Sequence, residues 1–140
     1  MSKDMSYRVG KYQQFKYVTA KWVIPPNKII TTQLEDYLQS SGLFSSVLSM
    51  QSYIRSDLVL ETDVEDFLQY FSKDKKSSYV ILKVKLTLID LHSNRILESK
   101  KFQIKKDVKE LSANGGVVAF EQALREFLMQ SGLWLSGVCQ

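Results

Sequence analysis

His92 is the chain's only histidine and Cys139 its only cysteine. The side chains that most often serve as bases, nucleophiles and metal ligands near neutral pH are therefore present once each. One cysteine permits no internal disulfide and no multi-cysteine zinc site, and one histidine cannot form a histidine cage. As a general base, His92 would stand in the run His92-Ser93-Asn94-Arg95, whose residue types favour an exposed turn. Cys139 is the penultimate residue, with no activating environment evident around it. Asp63, Glu65 and Asp66 could supply paired carboxylates, but glycosidase chemistry also needs a cleft and a raised pKa, and the sequence indicates neither. No GxSxG nucleophile elbow occurs, and Gly115-Gly116 meets the spacing of neither GxGxxG nor GxxxxGK[ST]. The expectation is a protein that is not an enzyme and that uses no cofactor and no metal.

Binding chemistry has more material. Gly115-Gly116 precedes a helical segment, where it is either an anion site at a helix N-terminus or a lead-in and close backbone packing point. Phe15, Tyr17, Trp22 and Trp134 could form a patch accepting lipid or ligand, or could be core and edge packing. The net charge is +4, but it is distributed in blocks of both signs. Asp57, Glu61, Asp63, Glu65 and Asp66 crowd one segment; Lys73, Lys75, Lys76, Lys83 and Lys85 the next; Lys100, Lys101, Lys105, Lys106 and Lys109 a third. If neighbouring strands carry these blocks, cross-strand ion pairs of about 0.2–1 kcal/mol each account for them, with an anionic partner as the other reading. A nucleic-acid module concentrates its bases in a stripe, so no nucleic-acid partner is expected.

These residues must be positioned by a chain of 140 residues, about one domain at ~100–200 residues each. An apolar fraction of 44% with 6 Gly and 2 Pro excludes collagen-like, low-complexity and disordered classes. No stretch approaches the ~20 apolar residues of a membrane span, and Met1–Ser6 lacks the apolar core of a signal peptide.

The segment Tyr12–Val23 is aromatic-rich and β-prone. Pro25-Pro26 marks a helix entry, because a proline's missing N–H would be unpaired in the first turn anyway. Ile30, Leu34, Tyr37 and Leu38 share a helical face, and Gly42 suits the left-handed C′ position, which predicts a helix from about Pro26 to Ser41. Leu43–Leu48 reads as a short strand. From Ser56 to Asp66, Leu58, Leu60, Thr62 and Val64 alternate with Val59, Glu61, Asp63 and Glu65, the mark of a strand with one buried face; Phe67, Leu68, Tyr70 and Phe71 extend it. Tyr79–Asp90 repeats the pattern, with Val80, Leu82, Val84, Leu86 and Leu88 on one face and Lys83, Lys85 and Thr87 on the other. Ile96–Ile104 returns as its hairpin partner, although Phe102 and Ile104 share a parity with Glu98 and Lys100, which requires a bulge or an exposed strand end. Val117, Phe120, Leu124, Phe127 and Leu128 form the stripe of a last helix ending at Gly132. Two amphipathic helices need one apolar surface, so the expected fold is an α+β two-layer sandwich: an antiparallel sheet with two helices packed on one face.

The ordered motifs Lys21-Trp22-Val23-Ile24-Pro25-Pro26, Leu34 with Leu38, and Ser41-Gly42-Leu43-Phe44-Ser45-Ser46-Val47 resemble the ABC-type transport auxiliary lipoprotein family. In that family a Trp-x-x-x-Pro pattern leads into a helix, and a small–Gly–x–Phe–x–x–Val step leads into a strand. The likeness continues through Asp57–Phe67, Lys85–Asp90 and Arg95–Phe102, and closes with Val118–Leu124 and Trp134, so it covers most of the chain.

The resemblance implies a non-catalytic, periplasmic accessory component of an ABC-type lipid or organic-solute transport system, which docks onto an MCE-domain partner alongside a permease and an ATPase. It also implies tethering to a membrane through a lipidated N-terminal cysteine. The signal sequence, that cysteine and the first strand region that the resemblance implies upstream of Tyr7 are expected to be missing from this chain, and Cys139 is at the wrong end to serve as the anchor. The candidate partner-binding residues are Lys83, Lys85 and Lys101, with Trp22 and Trp134. Phospholipid and a second copy of the chain are further candidate partners. The alternative function is a lipid carrier holding an acyl chain between helices and sheet.

Overall fold

A computed structural model describes residues 4–9, 13–21, 25–44, 47 and 57–138. In chain order the elements are β1 (Asp4–Val9), β2 (Gln13–Lys21), α1 (Pro26–Ser41), β3 (Leu58–Phe71), β4 (Ser78–Asp90), β5 (Arg95–Asp107) and α2 (Ala113–Val138). The strands form one sheet in the order β2-β1-β3-β4-β5. Every pairing is antiparallel except β1 with β3. The chain leaves β2, passes through α1 and returns beside β1, and a crossover of this length lets two strands run parallel.

Local chemistry accounts for most element boundaries. Pro25 and Pro26 open α1, the carbonyl of Pro25 accepts the N–H groups of Lys28 and Ile29 at 3.0 and 3.2 Å, and Gly42 closes the helix at φ +71°. β4 alternates along its length: Val80, Leu82, Val84, Leu86 and Leu88 are buried, while Ile81, Lys83, Lys85 and Thr87 are half-buried on the other face. In β3 the register slips between Val64 and Asp66. This bulge moves the buried parity from Leu58, Leu60 and Val64 to Phe67 and Gln69. Both features expected of β5 are present. Leu88 pairs with Glu98 while Ile89 pairs with Ile96, leaving Leu97 as the extra residue, and Arg95–Lys101 are all exposed.

Both helices cover the same face of the sheet, and the fold is the α+β sandwich expected. Between the layers lie Ile30, Leu34 and Leu38 from α1, the inner row of β4, Phe102 and Ile104 from β5, and Ala119, Phe120, Ala123, Phe127 and Leu135 from α2. Burying a large side chain as completely as Ile30 or Phe127 (0% exposed) contributes about 1.5–3 kcal/mol. Phe67 stacks on Phe120 at 4.1 Å, and Phe102 meets Phe127 edge-on at 5.5 Å.

Three local expectations are corrected. The first strand region expected to be missing is present in part: Asp4–Val9 form β1, a segment with little hydrophobic pattern of its own that is held by pairing with β2 and β3. Leu43 and Phe44 lie in a bend, and Val47 is not in a strand. The N–H of Val47 donates to Gln39 Oε1 at 2.9 Å, so a side chain of α1 takes the donor a strand partner would need; these three residues cap the core instead. Ser45, Ser46 and Leu48 lie outside the described residues. Finally, α2 continues through Gly132 to Val138. A Cβ at Gly132 would stand 2.8 Å from Cε1 of Tyr37, so this glycine allows α1 and α2 to approach, and packing outweighs its intrinsic helix cost of about 1 kcal/mol.

Candidate functional site

Two surfaces hold the candidate residues. The first is the sheet face turned away from the helices. Register aligns its side chains in rows across β3, β4 and β5: Val59–Ile89–Ile96, Glu61–Thr87–Ser99, Asp63–Lys85–Lys101, Asp66–Lys83–Gln103, Leu68–Ile81–Lys105 and Tyr70–Tyr79–Asp107. The middle of the face is charged, with acids on β3 and bases on β4 and β5. Toward both ends β3 and β4 turn apolar or aromatic, with β5 adding Ile96 at one end and Lys105 and Asp107 at the other.

Glu65 is the hub of the charged region. The bulge places it beside Asp66 opposite Lys83, and its carboxylate lies 3.7 Å from Lys83 Nζ and 3.5 Å from Lys101 Nζ. Its side chain is 24% exposed, against 38% and 60% for the lysines. A carboxylate shared by two partly exposed ammonium groups gives register and modest stability, not a reactive centre. Toward one end runs a second chain of contacts. The Tyr70 hydroxyl donates to Asp66 Oδ2 at 2.6 Å, the Tyr70 and Tyr79 rings stack at 5.2 Å, and Lys105 Nζ sits 4.2 Å above the Tyr79 ring.

The structure thus brings Lys83, Lys85 and Lys101 together, with Lys85 and Lys101 paired in register. Trp134 is elsewhere. It projects from α2 on the helix side of the sheet, with Nε1–H donating to Glu98 Oε1 at 3.2 Å and its ring edge-on to Phe102 at 5.9 Å. The five candidates therefore do not form one patch: the lysines and Trp134 are separated by the sheet, and Trp22 lies outside the described residues. Sequence reasoning missed the apolar step Ile96-Leu97 beside the lysines, exposed at 65% and 49%. The parity slip in β5 was its signal.

The other chemical candidates are also placed. His92 is in the β4–β5 turn, where its Nε2 pairs with Asp57 Oδ1 at 2.7 Å. The Asp57 carboxylate raises the His92 pKa, first by accepting this hydrogen bond and then by its charge. Both side chains are well exposed, and the pair fastens the turn to the start of β3. Gly115-Gly116 lie in the first turn of α2, and the close-packing reading holds there. A Cβ on Gly115 would stand 1.8 Å from the Glu110 carbonyl oxygen, and one on Gly116 would stand 2.4 Å from Gln69 Oε1. Gln69 is fully buried, its amide donating to Ser78 Oγ and to the Ser112 carbonyl, while Ser112 Oγ caps the helix by accepting the Gly115 N–H at 3.1 Å. The helix start is thus filled by protein groups where an anion would sit. Among the described residues no three His, Cys, Asp or Glu side chains gather as a metal site would require, and no helix is long and apolar enough to cross a membrane. Cys139 lies outside the described residues.

No family model and no curated protein matches the chain. Among solved structures it is similar to a protein from Xanthomonas campestris described under family DUF330, at 19% identity and a TM-score of 0.89, covering 99% of this chain and 77% of that one. It is also similar to a protein described only as uncharacterized, at 15% identity and a TM-score of 0.71, covering 99% and 82%. At these identities the likeness shows the fold alone. A Caulobacter crescentus protein, provisionally described as a lipoprotein, aligns over 79% of this chain and 83% of its own at 13% identity, and its TM-score of 0.42 is too low to carry an argument.

Proposed function

We propose that this domain is a non-catalytic accessory component of an ABC-type lipid or organic-solute transport system, working in the periplasm tethered to a membrane, and that it acts by docking onto an MCE-domain partner associated with the permease and ATPase. One observation carries the reading: among the described residues the helices use up one face of the sheet and leave the other face and the β5 edge uncovered, with ordered charge and apolar rows. Unpaired strand edges and patterned open faces are how sheets engage other proteins. The ordered motifs from Trp22 to Trp134 support the choice of partner system. The test is binding of the purified domain to the MCE-domain protein encoded nearest to it, followed by biolayer interferometry. Saturable binding at micromolar concentration or tighter is expected; none at that concentration overturns the proposal.

The carrier alternative needs an acyl chain between helices and sheet. There the Phe67 and Phe120 rings stack at 4.1 Å, and Val80, Val84, Phe127 and Leu135 are fully buried in the same core. Docking is the better supported of the two.

A further inference from the structure

β5 ends the sheet among the described residues, so one row of its backbone N–H and C=O groups faces no described neighbouring strand. Edge strands are normally guarded by charge, lysine above all, and β5 follows the rule with five basic residues (Arg95, Lys100, Lys101, Lys105, Lys106) against two acidic ones (Glu98, Asp107). The guard is broken at Ile96 and Leu97, both large, apolar and strongly exposed. The charges also have a direction. β3 bears Glu61, Asp63, Glu65 and Asp66, and β4 answers with Lys83 and Lys85 in register. β5 adds more bases, and among the described residues no acidic strand follows on its far side. Lys101 and Lys106 reach Glu65 and Glu126 at 3.5 and 2.7 Å. Lys100 and Lys105 instead lie over the rings of Phe102 and Tyr79, with no carboxylate partner among the described residues.

We infer that the edge of β5 accepts a strand from a protein partner: an extended segment with one acidic residue meeting Lys100 on the helix side of the sheet, another meeting Lys105 on the open face, and an apolar residue covering Ile96 and Leu97. Main-chain hydrogen bonds supply affinity in strand addition, and side-chain complementarity selects the partner. Pairing β5 with β5 of a second copy would set two net-basic edges side by side, and like charges facing each other across strands are unfavourable. The inference rests on the docking reading above and specifies its surface.

The test uses the full chain and two capped decapeptides of valine and threonine, one carrying two glutamates and one two lysines, each pair five positions apart like Lys100 and Lys105, so that one charge falls on each face of the added strand. In a two-dimensional amide NMR titration, the glutamate peptide is expected to shift the amides of Arg95–Lys105 and the lysine peptide to leave them in place. Lys100→Glu combined with Lys105→Glu reverses two cross-strand pairs and should weaken binding about tenfold; Leu97→Asp, which leaves both lysines, should also weaken it. Equal binding of the two peptides, shifts confined to other elements, or no shift at millimolar peptide overturns the inference. So does a dimer in sedimentation that the glutamate peptide cannot dissociate, because a second copy then holds the edge. If the double variant binds the MCE-domain protein as the unmodified chain does, the edge assignment fails and the docking reading stands. If the unmodified chain takes the acidic peptide at β5 but ignores that protein, the docking reading fails and the edge assignment stands.

Discussion

The indole Nε1–H of Trp134 donates to Glu98 Oε1 at 3.2 Å, joining the last turns of α2 to the exposed half of β5. Because the Trp134 ring also stands edge-on to Phe102, this residue is where the helix layer braces the edge strand. Trp134→Phe keeps the ring contact and removes the hydrogen bond, and should cost about 0.5–1.5 kcal/mol, toward the lower end because the pair is exposed. Trp134→Ala removes both and should cost about 2 kcal/mol, below the ~3–5 kcal/mol of a fully buried aromatic. Urea unfolding of the two variants measures the difference.

Gly116→Ala tests the packing at the start of α2. Alanine is the better helix former by about 1 kcal/mol, yet its Cβ would lie 2.4 Å from Oε1 and 2.9 Å from Cδ of the fully buried Gln69. Gln69 cannot swing away without giving up its bonds to Ser78 and Ser112. Net destabilisation of about 1–3 kcal/mol is expected from overpacking, read as a lower thermal midpoint. A neutral or stabilising result would mean the site is looser than described.

The His92–Asp57 pair predicts a pH dependence of known sign. The folded-state His92 pKa is raised, by the Asp57 hydrogen bond first and its charge second. The pair's contribution is therefore complete below the ordinary histidine value of about 6.5 and is lost as pH rises through the raised folded value. Asp90 works in the opposite sense. Its carboxylate accepts the His92 N–H at 2.9 Å and is held below its usual range, so its contribution is present above the ordinary aspartate value and lost as the pH falls through the lowered one. An NMR titration should place the His92 midpoint above 6.5, with Asp57→Asn returning it toward that value.

Glu65→Gln leaves Lys83, Lys85 and Lys101 without the carboxylate that Lys83 and Lys101 share. The cost should be about 0.5–1 kcal/mol at low salt, given the partial exposure, and should shrink toward zero near 1 M salt, where the screening length is about 3 Å. Chemical denaturation with urea at two salt concentrations separates this from a packing defect, which salt would not erase.

The legible parts of the fold are those governed by local rules. The proline pair and Gly42 bracket α1 at Pro26 and Ser41, and the alternation in β4 sorts Lys83 and Lys85 to the open face. The parity slip in β5 marks a bulge or an exposed strand end, though not Leu97 as the extra residue. What the sequence did not reveal depends on distant partners. Asp4–Val9 has little alternation of its own and is held by pairing with β2 and β3. Leu43, Phe44 and Val47 are apolar because they cap the core, and apolar character alone does not make them a strand. Gly132 resembles a helix stop until Tyr37 is seen against it. For the candidate site, parity gathers the three lysines correctly but cannot say that Trp134 is across the sheet from them. The Asp66–Tyr70–Tyr79–Lys105 ladder exists only because the bulge at Glu65 resets the register, a feature with no mark in residue type.

The proposed docking uses the open side of the described sheet and the β5 edge. Hydrogen–deuterium exchange of the full chain, with and without the MCE-domain protein at saturating micromolar concentration, tests it most directly. Slower exchange concentrated in Arg95–Lys105 and the facing stretch of β4, with α1 unchanged, is the predicted result. Protection confined to the helices, or no protection at all, would contradict the account.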